Sequence, residues 1–71
     1  MNKRELYRDG YFITVSRRFL NKVSGRTRVR VIARTMSGKV LLNEYRDYDD
    51  MHRADTAYSR LIREYEGNSE A

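Results

Sequence analysis

Arginines at positions 26, 28, 30 and 34 of the run R-T-R-V-R-V-I-A-R-T-M are the residues of this chain best suited to chemistry, and that chemistry is anion recognition. A guanidinium presents a planar fork of donors that matches phosphate or carboxylate, and it keeps its charge at any ordinary pH. Thr27, Val29, Val31, Ala33 and Thr35 alternate with these arginines, and Ile32 is the one apolar interruption of the arginine parity. Successive side chains of a strand point to opposite faces, so period two buries the valines and holds the arginines together on the other side. A plain solubility face would mix in acids. Four like charges on one strand repel one another, and a negatively charged partner would relieve that cost.

Other residues offer less. His52 is the single histidine, and Asp49, Asp50 and Asp55 near it suggest a base or part of a cation site. No placed nucleophile, glycine-rich phosphate loop, nucleotide motif or metal-ligand spacing accompanies it, so the chain reads as non-enzymatic, with no cofactor and no metal. Cysteine is absent, which excludes disulfides, thiolate metal sites and cysteine nucleophiles. The acidic run E-Y-R-D-Y-D-D lacks the spacing and glycine of a calcium loop. It reads as helix capping and as counter-charge for the arginines, for example Asp47 for Arg28. An interaction patch is the other option.

The elements that must carry the arginines are legible from the pattern. Asp9-Gly10 signals a type I′ hairpin that would set Leu6 opposite Ile13, with residues 4–8 as a short edge strand; a short helix over residues 3–7 is the alternative. Residues 11–20 alternate, with Ile13, Val15 and Phe19 on one parity and Thr14, Ser16 and Arg18 on the other. The loop N-K-V-S-G, with Gly25 for a left-handed position, closes a hairpin onto the arginine strand. Matching core face to core face then pairs Phe19 with Val29, Val15 with Ala33, Arg18 with Arg30, Ser16 with Ile32 and Thr14 with Arg34. A two-residue Ser37-Gly38 turn returns residues 39–47 as a third strand. It would set Val40 against Thr35, Leu42 against Ala33 and Glu44 against Val31 on the core side, with Leu41 against Arg34, Tyr45 against Arg30 and Asp47 against Arg28 outside.

After Tyr48 the period becomes 3.6. Asp49 or Asp50 caps a helix, and Met51, Ala54, Tyr58, Leu61, Ile62 and Tyr65 form its apolar stripe. The sheet's apolar face is the only large surface that stripe can cover. The expected architecture is therefore α+β: one domain over residues 1–71, with an arm or edge strand at 1–10, a three-stranded antiparallel meander at 11–47, a helix at 50–66 and a tail at 67–71.

Charge is divided along the chain. Residues 1–43 carry eleven basic side chains against two acidic ones, and residues 44–71 carry four against eight. The basic half calls for a polyanion, and nucleic acid is the commonest. Arg18, Arg26, Arg28, Arg30 and Arg34 would grip it, Tyr45 would stack, and Arg17, Lys22 and Lys39 would make supporting phosphate contacts. Over residues 11–66 the layout of three antiparallel strands and a helix resembles plant AP2-type and integrase arm-binding DNA domains, and also the second half of a double-stranded-RNA-binding domain. The resemblance implies nucleic-acid binding. Where the RNA-binding family has a lysine cluster at its last helix this chain has Asp49, Asp50, Met51, His52 and Arg53, which puts DNA before RNA. The rival reading is a protein-interaction module, an inhibitor of phage or mobile-element type docking on an acidic surface of a host complex, with edge strands free for β-addition. No stretch has the apolar length of a membrane span or the core of a signal peptide, so a cytoplasmic protein with no membrane partner is expected. At this size a homodimer would add burial.

Overall fold

Asp9 and Gly10 both adopt left-handed backbone, with φ of 54° and 86°, as the type I′ turn requires. That turn decides between the two readings of the amino terminus. Strand β1 (Asn2–Arg8) pairs antiparallel with β2 (Tyr11–Asn21), and Leu6 lies opposite Ile13 as expected. β3 (Arg26–Thr35) and β4 (Val40–Tyr48) follow, then helix α1 (Met51–Tyr65). The computed structural model describes residues 2–66, so the expected tail at 67–71 lies outside the described residues. The fold is α+β, an antiparallel sheet in the order β1-β2-β3-β4 with one helix packed on it. It has four strands instead of three, because the tight turn lets seven residues of the amino-terminal arm use the edge of β2.

Both later hairpins depart from the expected register in ways the loops explain. Between β2 and β3 the pairing is displaced by two residues: Val15 faces Val31, Arg18 faces Arg28, Ser16 faces Arg30 and Phe19 faces Thr27. Ile13, not Val15, faces Ala33. The loop sets this. Asn21 Oδ1 accepts from the Val23 and Ser24 amides, Gly25 N donates to Asn21 O, and an irregularity between Phe19 and Asn21 absorbs one residue. A shift of two preserves which side chains face the core, so the arginine face survives it.

Between β3 and β4 the turn is longer than two residues. Gly38 N donates to Thr35 O, Thr35 N donates to Lys39 O, and Gly38 holds φ of 93°. Val40 therefore lies opposite Arg34, which overturns the expected pairs of Val40 with Thr35 and Leu41 with Arg34. Leu41 is then bulged out, and Leu42, Glu44, Tyr45 and Asp47 recover their expected partners Ala33, Val31, Arg30 and Arg28. The bulge leaves Leu41 exposed and returns Leu42 to the core cluster.

Side chains at 13, 15, 29 and 31 form the sheet half of the core, and Ala54 is the fully buried residue of α1 among those described. Tyr58, Leu61, Ile62 and Tyr65 pack over this cluster with Leu6, Ala33 and Leu42. Thr27, also buried, donates its hydroxyl to Gly25 O at 2.7 Å, so it brings no unpaired polar group into the interior. Two core expectations fail. Phe19 is 40% exposed although Thr27 opposite it is buried, and Met51 in the first helical turn is exposed as well. Asp50 is the helix cap, its Oδ1 accepting from His52 N at 2.7 Å. At the other end Arg8 reaches the carbonyls of Glu64 and Tyr65, and Arg4 pairs with Glu66, so the helix carboxyl terminus is fastened over β1. No helix of the described residues is long and apolar enough to cross a membrane.

Candidate functional site

One helix covers one face of the sheet, and among the described residues no second element packs over the other face; the slab measures only 15 Å along its shortest axis. The pleat delivers Thr14, Ser16 and Arg18 of β2, Arg28, Arg30, Ile32 and Arg34 of β3, and Asn43, Tyr45 and Asp47 of β4 to that open face. Across the strands they form rows: Arg18, Arg28, Asp47; then Ser16, Arg30, Tyr45; then Thr14, Ile32, Asn43; then Phe12, Arg34, Val40. Ser16, Arg18, Arg28 and Arg30 line a shallow cleft of about 240 Å³.

Tyr45 organises the middle of this surface. The Arg28 guanidinium lies 4.1 Å and that of Arg30 5.2 Å from the centre of its ring, while the ring stays 56% exposed. Arg30 Nη1 also donates to Asn43 Oδ1 at 3.1 Å, which holds the guanidinium without neutralising it. Arg28 differs. Its Nε and Nη2 donate to the two carboxylate oxygens of Asp47 at 2.7 and 3.1 Å, a forked pair within the chain. Arg18 and Arg34 have no carboxylate within ion-pair distance among the described residues. Of the four outer arginines of the two central strands, therefore, one is neutralised by a carboxylate among the described residues and three are not.

The hydrogen bonds from Arg28 hold the Asp47 carboxyl below the usual carboxylate range, with the charges of Arg28, Arg26 and Arg30 acting in the same direction and desolvation opposing them. The same pair raises Arg28 above the usual arginine value. A carboxylate depressed in the folded state stabilises the fold above its unfolded pKa and loses that contribution as pH falls through the folded one. Thermal melts of Asp47→Asn against the parent chain should thus show a stability gap at neutral pH that closes on acidification below the usual carboxylate range. A gap that persists unchanged at low pH would show that the carboxylate charge is not what matters there.

The residues expected to bind do not all reach this face. Arg17 shares the parity of Ile13 and Val15, so it points to the helix side, where it pairs with Asp55 and lies 5.6 Å from the centre of the Tyr58 ring. It is a strut between sheet and helix, not a flanking phosphate contact. Lys22 in the β2–β3 loop and Lys39 in the β3–β4 loop stand at opposite ends of the sheet, and both are exposed. Arg26 opens β3 opposite Asn21, exposed. Sequence reasoning missed Asn43, whose parity with Tyr45 and Asp47 would have placed it beside Arg30. It also missed the aromatic pair Tyr7 and Phe12, centroids 5.1 Å apart and both exposed, which the Asp-Gly turn puts opposite each other. Among the described residues no three His, Cys, Asp or Glu side chains converge on a common point as metal ligands would.

No protein-family model, no curated protein and no solved structure matches this chain.

Proposed function

We propose that the chain is a non-enzymatic binding protein whose open sheet face takes a nucleic acid, DNA before RNA. The observation that carries this reading is the surplus of guanidinium over carboxylate on one open face: Arg18, Arg30 and Arg34 project there without an acidic partner among the described residues, while Tyr45 offers an exposed ring already flanked by two arginines. A strand surface of this kind suits a groove, where arginine grips guanine through two hydrogen bonds and the ring packs on sugar or base. Arg26, Lys22 and Lys39 supply phosphate contacts at the margins. Arg28 acts chiefly as the cation that orients Tyr45, since Asp47 occupies its fork.

A second reading has its own support. Phe12, Tyr7 and Val40 are exposed at one end of the same face, and an apolar margin beside a basic centre fits an acidic protein surface of a host complex. Salt separates the two. Three to six phosphates neutralised by these side chains predict a log–log slope of affinity against salt of about −3 to −5, measured by anisotropy of short labelled DNA and RNA duplexes. Absence of binding to any nucleic acid at low salt defeats the first reading and leaves the second.

A further inference from the structure

The two edges of the sheet are finished differently. β1 carries Lys3, Arg4, Glu5 and Arg8, and the carboxyl end of α1 is fastened over it through Arg4 and Arg8. Charges and a covering element are how an edge strand is kept from pairing. At the opposite edge α1 packs against β2 and β3 more than against β4, and among the described residues no strand pairs with the outer rim of β4. β4 has no lysine or proline, and its single bulge, at Leu41, lies near one end. On its helix side Glu44 and Arg46 are exposed, and neither side chain has a hydrogen bond or ion pair among the described residues. They stand at the mouth of an open trough of about 350 Å³ between β4 and α1, floored by Val29, Val31 and Leu61.

We infer that β4 pairs with β4 of a second copy, antiparallel, with Tyr45 on the two-fold axis. Symmetry restricts the choices sharply. Two antiparallel copies of one edge strand are related by an axis perpendicular to the sheet, which preserves the faces, so the axis must fall on a residue and not between two. An axis on Glu44 opposes glutamate to glutamate. One on Arg46 opposes arginine to arginine, and one on Asp47 opposes aspartate to aspartate. With the axis on Tyr45, Glu44 faces Arg46 of the partner subunit, Arg46 faces the partner's Glu44, Leu42 faces the partner's Tyr48, and Asn43 faces the partner's Asp47. Every charged pair is then complementary or relieved, and an apolar pair flanks it on each side. Both helices fall on one side of the eight-stranded sheet this creates. The open faces merge on the other, with the two Tyr45 rings side by side and Arg30 and the partner's Arg30 three strand spacings, about 14 Å, apart.

This inference stands on the edge and its charges, not on any ligand, and a charge-reversal cycle tests it. Sedimentation of the full chain over a concentration series should show a monomer–dimer equilibrium. Glu44→Arg and Arg46→Glu should each weaken association about tenfold or more, and the double reversal should restore it, because each single change makes two like-charged pairs and the double remakes two opposite ones. Amide exchange on the unaltered chain gives a second readout: those β4 amides that do not bond to β3 should gain protection as concentration rises. A chain that stays monomeric throughout, single reversals that leave association unchanged, or a double reversal no better than either single would each overturn the inference.

Discussion

Replacing Arg30 and Arg34 together by alanine should lower affinity for a DNA duplex by between about tenfold and a hundredfold and reduce the salt slope by about two, with the fold intact. The reasoning rests on what each side chain does within the chain. Arg34 has no carboxylate partner among the described residues, and Arg30 donates one hydrogen bond to the exposed Asn43, which water can replace. Neither is part of the buried cluster at 13, 15 and 31. Tyr45 keeps the closer of its two guanidiniums, that of Arg28. Removal of two neighbouring like charges also eases repulsion along β3, so thermal melts should move little. Loss of the folded circular-dichroism spectrum would show that the arginines are structural. An unchanged affinity in a folded double variant would move the binding surface elsewhere.

Val15→Ala should destabilise the chain by about 2–3 kcal/mol and lower its melting temperature by about 10–20 °C. Val15 is 0% exposed, at the centre of a cluster with Ile13 and Val31 under Tyr58, Leu61 and Ile62. Truncation removes two carbons from a site that the sheet prevents from collapsing. A chain of this length has a total stability of about 4–10 kcal/mol, so the loss is a large fraction of the whole. Val23→Ala makes the same chemical change at a position 98% exposed and should leave the melt within about 0.5 kcal/mol of the parent. Comparable shifts in the two variants would mean that β2 is not the middle of the interior.

The small interior bears on oligomeric state. Among the described residues five apolar side chains are buried, and a two-layer slab with one helix has little more to bury alone. Self-association through β4 would add backbone hydrogen bonds and cover Leu42 and Tyr48, and it would double the arginine face without any new binding residue. A nucleic acid meeting the doubled face would find two guanidinium sets related by symmetry.

What the sequence alone determined were properties set by immediate neighbours along the chain. Alternation placed Val29 and Val31 inward and Arg28, Arg30 and Arg34 outward, since the pleat is a local fact of the backbone. Asp9-Gly10 signalled its turn beside a helical alternative that only the structure removed, and the spacing of Ala54, Tyr58, Leu61, Ile62 and Tyr65 specified both the helix and the face it buries. The pairing of Asp47 with Arg28 was also legible, because β4 returns in the expected register at that end. The tertiary structure decided the rest. Displacement of β2 against β3 by two residues leaves every side chain on its face, so hydrophobic patterning cannot detect it; the backbone geometry of the Asn21–Gly25 loop fixes it. The same holds at Leu41, where a turn one residue too long is repaired by a bulge that returns Leu42 to Ala33. Which arginines remain available is likewise a tertiary outcome: Arg17 is taken by Asp55 and Arg28 by Asp47, while Arg18 and Arg34 meet no acid among the described residues. Charge type is written in the chain, but neutralisation depends on which carboxylate folding brings within reach, and that contact spans nineteen residues for Arg28 and thirty-eight for Arg17.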